Sequence, residues 1–108
     1  MERKKFKEVS EEEEISRIRR PRGEEVLAVV TQMLGSDKLR VQCDDGKERI
    51  ARIPGKLRKR VWIRLGDLIL VEPWKVMPTN RADVVWRYTP TQANWMQRNG
   101  QLKTISFR

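Results

Sequence analysis

The sequence predicts an all-β domain of five short strands, with one short helix between the third and fourth strands and another helix after the fifth. Two observations support this fold class. Apolar residues recur at every second position in several short runs that are bounded by glycine, proline or aspartate, as in half-buried strands. Residues 56–61 and 89–100 instead carry helical spacing or helix-start signals.

The first three strands are predicted to follow one another through short turns. Residues 26–34 are apolar on both faces and end at residues 35–37, a Gly-Ser-Asp turn cluster. Residues 38–44 alternate polar with apolar side chains, so one face of this second strand should be buried. Asp45-Gly46 is a hairpin signal that reverses the chain. The third strand then runs through residues 47–53.

The third strand alternates less regularly than the second. We place Ala51 and Ile53 inward and Arg52 outward, which leaves Ile50 exposed or at a bulge.

Cys43, at the end of the second strand, is the single cysteine of the chain. A lone cysteine excludes an internal disulfide and a cysteine-based zinc site, and its place in the apolar row predicts a small buried thiol.

A basic helical turn is predicted after Pro54-Gly55. Leu57 and Val61 are four residues apart, so they share one face that can pack on the barrel, while the cations between them cover the rest of the turn. Residues 65–74 predict the fourth strand, and a loop leads to the fifth at residues 83–88. In that strand Trp86 alternates with Val84, which predicts a tryptophan in the core.

The chain after the fifth strand predicts a helix. Thr89 is a suitable N-cap, Pro90 fits the first helical position, and Gln92 completes a capping box; Gly100 is a plausible end. We therefore divide the chain into a flexible charged tail at 1–22, a barrel domain at 23–88 and a helix with a short tail at 89–108.

This order of elements is that of the OB-fold, a five-stranded Greek-key barrel that binds oligonucleotides on its second and third strands and the neighbouring loops. An SH3-like barrel is the structural alternative. A doubly wound parallel sheet does not fit, because it needs a helical crossover between successive strands.

Composition favours a nucleic-acid partner and argues against catalysis. The formal net charge is +9, from 24 Lys and Arg against 15 Asp and Glu, and there is no histidine. Without histidine the common hydrolytic triads and the commonest metal ligand are excluded, so we expect no enzyme, no metal and no cofactor. A metal-dependent enzyme built on Asp44, Asp45 and Asp67 has no ligand cluster behind it. No apolar run approaches the roughly 20 residues that span a bilayer, so we expect a cytoplasmic monomer without a membrane partner.

Cations are predicted on one side of the barrel. The outward face of strands two and three should offer Arg40, Lys47, Arg49 and Arg52, and the following turn adds Lys56, Arg58, Lys59 and Arg60. Such a surface binds phosphates with a strong dependence on salt and little sequence preference. Trp62 directly follows these cations and is the best candidate for stacking on a base.

Three segments also resemble a known family. They are DDGKERIARIPGKLRKRVWI at 44–63, GDLILVEPW at 66–74 and RADVVWRYTPTQANWMQRNG at 81–100. The combination is similar to translation initiation factor 1A in its archaeal form, a relative of bacterial initiation factor one. The resemblance implies a protein that binds small-subunit rRNA at the aminoacyl-tRNA site of the ribosome and assists selection of initiator tRNA and mRNA.

The resemblance also assigns roles to residues. The turn with Trp62 should face rRNA, with Arg49, Arg52 and Arg64 in support. The amino-terminal cations should reach toward the tRNA and mRNA path; they are Arg3, Lys4, Lys5 and Lys7. Contacts with other initiation factors stay open. Eukaryotic relatives use an acidic carboxy-terminal tail to contact the subunit-joining GTPase, initiation factor 5B, and the resemblance does not extend to that contact because this sequence ends LKTISFR.

One alternative from another class remains. A general single-stranded RNA chaperone of cold-shock type would share the barrel and the basic surface. Such proteins present aromatic side chains along strands two and three, where this sequence has arginine, glutamine and lysine.

Overall fold

The computed structural model describes residues 10–59 and 61–107. Within them five strands close into a barrel in the order β1-β2-β3-β5-β4. Neighbouring strands are antiparallel except β3 and β5, which are parallel. The elements in chain order are α1 (Glu11–Ser16), β1 (Val26–Met33), β2 (Lys38–Cys43), β3 (Glu48–Arg52), α2 (Gly55–Arg58), β4 (Leu68–Pro73), β5 (Arg81–Arg87) and α3 (Pro90–Arg98). The predicted OB-fold is confirmed, with α2 between the third and fourth strands.

The interior of the barrel is filled by the alternating rows that the sequence predicted. Leu39, Val41 and Cys43 of β2 are fully buried, and Ala51 and Ile53 join them from the third strand and its end. Each fully buried aliphatic side chain contributes about 1.5–3 kcal/mol through removal from water. The hairpin at Asp45-Gly46 and the buried thiol of Cys43 are both as predicted.

A second core lies outside the barrel, between the sheet and α3. Leu68 and Leu70 point away from the barrel interior and pack against Ala93 and Met96 of α3, so β4 is buried on both faces. The capping box at Thr89 is present, with Thr89 Oγ1 accepting from Gln92 N at 3.2 Å and Gln92 Oε1 accepting from Thr89 N at 3.1 Å. The helix and its capping box are therefore as predicted.

β4 begins three residues later than predicted because Gly66-Asp67 forms a turn. Gly66 has φ 87°, a left-handed conformation that glycine adopts without steric cost, and Asp67 N donates to Arg64 O at 3.1 Å. β4 consequently starts at Leu68 and leaves Leu65 exposed.

The prediction that Trp86 belongs to the core is wrong. The register between β4 and β5 shifts where Leu70 pairs with Trp86 and the next residue, Val71, pairs with Val84. Val85 is therefore an extra residue in β5, and such a bulge interrupts the alternation of side chains. Val84 points into the barrel, whereas Trp86 is 40% exposed.

Residues 10–22, part of the predicted charged tail, include the short helix α1, whose side chains are mostly exposed. Ser10 Oγ accepts from Glu13 N at 3.1 Å and starts α1, whose four glutamates occupy the first turn, where the helix dipole favours negative charge. Glu14 ties α1 to α3: its carboxylate accepts from Thr89 Oγ1 at 2.8 Å and its carbonyl from Gln92 Nε2 at 2.9 Å. The Ser-x-x-Glu spacing is a capping signal that the sequence did contain.

Tyr88 joins the amino-terminal segment to the second core. Its hydroxyl donates to the carbonyl oxygen of Arg19, and its ring is buried among the residues that pack under α3. Burial raises the pKa of Tyr88 from 10.0 to about 12, with a smaller opposing effect of the Arg19 charge.

Titration of Tyr88 is expected to be displaced upward because its phenolate would lose hydration. Tyr88 is the only tyrosine, so absorbance at 295 nm reports it alone. A folded-state pKa above the unfolded value means that its contribution to stability is intact below pH 10.0 and is lost as pH rises toward about 12. A midpoint near 10 in the native protein would contradict the burial of this hydroxyl.

Candidate nucleic-acid interface

The basic turn that follows β3 is a short helix held on the barrel by two apolar side chains. Arg58 N donates to Pro54 O at 2.9 Å and Val61 N donates to Leu57 O at 2.9 Å. Leu57 and Val61 are half-buried against the barrel interior, as their spacing predicted. Because this face is fixed inward, Arg58 and Lys59 are directed to solvent.

Those cations form a positive surface at this end of the barrel. Lys56, Arg58 and Lys59 are exposed. Arg58 Nη1 lies 3.9 Å from Asp37 Oδ2, while Lys56 and Lys59 have no ion-pair partner among the described residues. Positive charge without neighbouring carboxylates is what a polyanion site requires. Arg60 lies outside the described residues.

Trp62 stands in solvent next to these cations. Its side chain is 74% exposed, whereas the following Ile63 is buried in the barrel core and anchors the segment. Arg64 is also exposed, and its N–H donates to Asp67 Oδ2 at 2.9 Å. A large aromatic ring that is exposed beside cations suits base stacking. We call Lys56, Arg58, Lys59, Trp62 and Arg64 the basic end.

The predicted strand residues divide between the two ends of the barrel. Arg52 is exposed, pairs across the sheet with Lys38 and forms an ion pair with Asp83 at 3.4 Å, so it lies near the basic end. Lys47 is exposed in the hairpin at the opposite end, about 13 Å or more away along β3 at roughly 3.3 Å per residue. Arg40 is half-buried in the middle of β2, with Nε donating to Gln32 Oε1 at 3.0 Å.

Arg49 was predicted as an outward RNA contact, and the structure contradicts its exposure. Its side chain is only 4% exposed. Nη1 and Nη2 bind the Asp45 carboxylate at 3.2 and 3.0 Å, and Nε donates to Pro78 O at 2.6 Å. Burial by itself raises the pKa of Asp45, but hydrogen bonds from Arg49 and Lys47 and the Arg49 charge outweigh it and lower that pKa. Arg49 is therefore a buried side chain that connects Asp45 to the loop between β4 and β5. We call this its strut role.

The carboxylates of the metal-enzyme alternative all have structural roles. The Asp44 carboxylate accepts from the backbone N–H groups of residues 103–105 at 2.7–3.1 Å and holds the carboxy-terminal segment on the barrel. Asp45 binds Arg49, and Asp67 accepts from Arg64 N and from Arg87 Nε. No group of three or more potential metal ligands occurs among the residues that could be described.

Two features of the described surface were not predicted from the sequence. Lys38 was not among the predicted RNA contacts, yet it lies directly across from Arg52. The loop between β4 and β5 was predicted only as a connection, yet it exposes Val76 and Met77, and Met77 has φ 64°. Pairing of Lys38 followed from the hairpin register; the conformation of Met77 had no signal in the sequence. The predicted contacts of Arg3, Lys4, Lys5 and Lys7 lie outside the described residues.

Comparison with known proteins identifies the family. A family model described as translation initiation factor 1A / IF-1 matches residues 2–106. The chain belongs to the translation initiation factor 1A family. Its relatives are translation initiation factors, so the protein acts in translation initiation.

Similar proteins include several archaeal factors. Translation initiation factor 1A of Methanopyrus kandleri is 54% identical over 92 residues, which is 85% of this chain and 82% of that protein. The factor of Methanothermobacter thermautotrophicus is 52% identical over 91 residues, 84% of this chain and 92% of that protein. The factor of Archaeoglobus fulgidus is 50% identical over 97 residues, 88% of this chain and 99% of that protein.

One solved structure is also similar to this chain. The solution structure of translation initiation factor one from the Wolbachia endosymbiont of Brugia malayi superimposes with a TM-score of 0.49 at 30% identity, covering 62% of this chain and 79% of that one. Within the described chain, none of the helices has the length and apolar character needed to span a membrane.

Proposed function

We propose that this initiation factor binds the small ribosomal subunit at the aminoacyl-tRNA site, through contacts of its basic end with rRNA, and thereby promotes selection of initiator tRNA and mRNA. The observation that supports the rRNA contact is the combination of exposed cations, most of which have no ion-pair partner among the described residues, with an exposed Trp62 at one end of the barrel. Lysine and arginine bind phosphates, and the indole ring can stack on an unpaired base.

Occupancy of a site is sufficient for this function. A factor that fills the aminoacyl-tRNA site and orders the surrounding rRNA changes the affinity of other ligands, and the coupling is reciprocal. No bond has to be made or broken. The amino-terminal cations at residues 3–7 are proposed to extend toward the tRNA and mRNA path.

A cold-shock-type RNA chaperone is the competing function. The outward faces of β2 and β3 carry Arg40, Gln42, Glu48, Ile50 and Arg52, and none of these described side chains is aromatic. A chaperone that binds any single strand relies on a row of stacking rings along these strands. The face therefore favours a phosphate-binding factor with one stacking residue.

Sedimentation with isolated small subunits tests the proposal. We expect the protein to co-pellet at low salt, to protect rRNA of the aminoacyl-tRNA site from chemical probes, and to increase retention of initiator tRNA. Four cations of the basic end predict a slope of about −3 in a plot of log affinity against log salt concentration, at roughly 0.7–0.9 per phosphate contact. Failure to co-pellet at low salt would refute the proposal, and equal binding to unstructured oligonucleotides would favour the chaperone.

A further inference from the structure

A groove lies on the outer face of β2, β3 and β5, away from the basic end. Its floor is Ile50, which is half-buried and points outward from β3. Arg40 lies directly across from Ile50 on β2, and Arg81 lies directly across from it on β5. One aliphatic side chain is therefore flanked on both sides by guanidinium groups.

The wall of the groove is the end of the loop between β4 and β5. Met77 has φ 64°, which non-glycine residues rarely adopt, and it is 52% exposed. Its carbonyl accepts from Asn80 N at 3.1 Å and from Arg81 N at 3.0 Å. The buried Arg49 holds the adjacent Pro78 carbonyl, so the apolar wall is fixed in place before any ligand binds.

The dimensions suit one flat ring. The groove has a volume of about 220 Å³ and is lined by Arg40, Glu48, Arg49, Ile50, Met77, Asn80 and Arg81. Pockets for drug-sized ligands begin near roughly 300 Å³. Ile50 and Met77 offer apolar surfaces to the faces of a ring, while polar groups at the rim can meet its edge.

The polar rim also contains the carboxylate of Glu48, two residues before Ile50 on the same face of β3. Glu48 is exposed and has no ion-pair partner among the residues the structure describes. Arg40 uses Nε for Gln32, and the described chain gives its Nη groups and the guanidinium of Arg81 no carboxylate. An ionised carboxylate accepts two hydrogen bonds side by side, and guanidinium groups bind phosphate or stack on a base.

We propose that this groove binds a single unstacked guanine base of RNA. Guanine presents two adjacent donors, N1–H and the N2 amino group, which match the two oxygens of Glu48. Adenine presents an acceptor at N1 and would be repelled by the same carboxylate. Arg40 and Arg81 can neutralise the flanking phosphates, and RNA proteins read such extruded bases by their Watson–Crick edges. The inference rests on the proposed rRNA-binding function and adds base recognition to it.

The test uses three fluorescein-labelled hexaribonucleotides, each uridine except for one central guanosine, inosine or adenosine. We expect the guanosine hexamer to bind about tenfold more tightly than the adenosine hexamer, as one bidentate base contact would provide. Inosine lacks the N2 amino group and should bind with intermediate affinity. Glu48→Gln should weaken binding of the guanosine hexamer about tenfold and remove the preference for it.

Controls separate the groove from the basic end. Glu72→Gln removes another exposed carboxylate, on β4 outside the groove, and should keep the preference; thermal unfolding should be alike for both variants. Equal binding of the three wild-type hexamers, a retained preference in Glu48→Gln, or no hexamer binding would overturn the inference. If the protein still co-pellets with small subunits in that case, the proposed function stands without the guanine site. A guanine preference in a protein that does not co-pellet would support the guanine site and refute the proposed function.

Discussion

Reversing the charge of Arg58 and Lys59 together is expected to lower the affinity for small ribosomal subunits about a hundredfold. The double variant Arg58→Glu/Lys59→Glu changes the local charge by four units. At roughly 6 Å from a phosphate and the dielectric constant of water, one unit is worth about 0.7 kcal/mol, so four units approach roughly 2.8 kcal/mol. At about 1.4 kcal/mol per tenfold change in affinity, this is about two orders of magnitude.

The fold should tolerate this double substitution. Both side chains are exposed, and the 3.9 Å pair between Arg58 and Asp37 involves side chains that are 45% and 39% exposed. Pairs of this kind contribute about 0–1 kcal/mol to stability. The residues that hold α2 on the barrel, Leu57 and Val61, are unchanged. Urea unfolding of the variant should therefore remain close to that of the wild type.

A matched control distinguishes a local site from overall charge. Arg98 and Lys103 are exposed cations on α3 and the carboxy-terminal segment. Reversing both lowers the formal net charge from +9 to +5, since each reversal removes two units, the same change as in Arg58→Glu/Lys59→Glu. Competition sedimentation at fixed salt should show a loss of less than about threefold for this control if phosphate contacts dominate at the basic end. Equal losses in the two variants would mean that net charge, not the basic end, determines binding.

Regular local patterns allowed most of the fold to be predicted. The strict alternation of Leu39, Val41 and Cys43 located β2 and its buried face, and the four-residue spacing of Leu57 and Val61 located the inner side of α2. Where the prediction failed, the deciding interactions are long-range. Trp86 leaves the core because a bulge in β5 interrupts the alternation. α1 is held by hydrogen bonds from Thr89 and Gln92, which no local pattern connects to it.

The prediction that Arg49 faces outward failed for a different reason. Ala51 and Ile53 were correctly placed inward, and the same alternation puts residue 49 inward as well. The prediction followed the usual exposure of arginine and not the alternation of inward and outward residues along β3. The exposure of Lys56, Arg58 and Lys59 was predicted correctly, because helical spacing and residue type agreed there. A cation at an inward position of a strand is better interpreted as a candidate for a buried ion pair.

Replacing Arg49 by alanine is expected to lower the free energy of unfolding by about 3 kcal/mol. The substitution leaves the Asp45 carboxylate and the Pro78 carbonyl without their donors. Removing one partner of a buried pair costs about 3–5 kcal/mol, and the lower end applies because the Asp45 side chain is 34% exposed. Arg52→Ala is the control: Arg52 lies three residues further along the same strand in a half-exposed pair, and its loss should cost less than about 1 kcal/mol.

The pH dependence of the unfolding free energy tests whether loss of the Arg49–Asp45 pair destabilises the Arg49→Ala variant. The pKa of Asp45 is lowered in the folded state, so the pair's contribution is present above the ordinary value of 3.8 and is lost as pH falls through the lower folded value. Urea unfolding between pH 7 and pH 3 should therefore show the difference between wild type and Arg49→Ala shrinking below about pH 4. A difference that stays constant over this range would assign the loss to packing alone.

Arg49→Ala also separates a structural role from a direct RNA contact. If Arg49 acts as a strut for the loop that carries Met77, the variant should lose the preference for the guanosine hexamer, because the wall of the groove is no longer fixed. Its affinity for small subunits, measured well below its unfolding temperature, should stay within about threefold of the wild type, since the basic end, to which we assign the phosphate contacts, is intact. A loss of subunit affinity as large as that of Arg58→Glu/Lys59→Glu would instead show that the Arg49 guanidinium reaches rRNA in the complex.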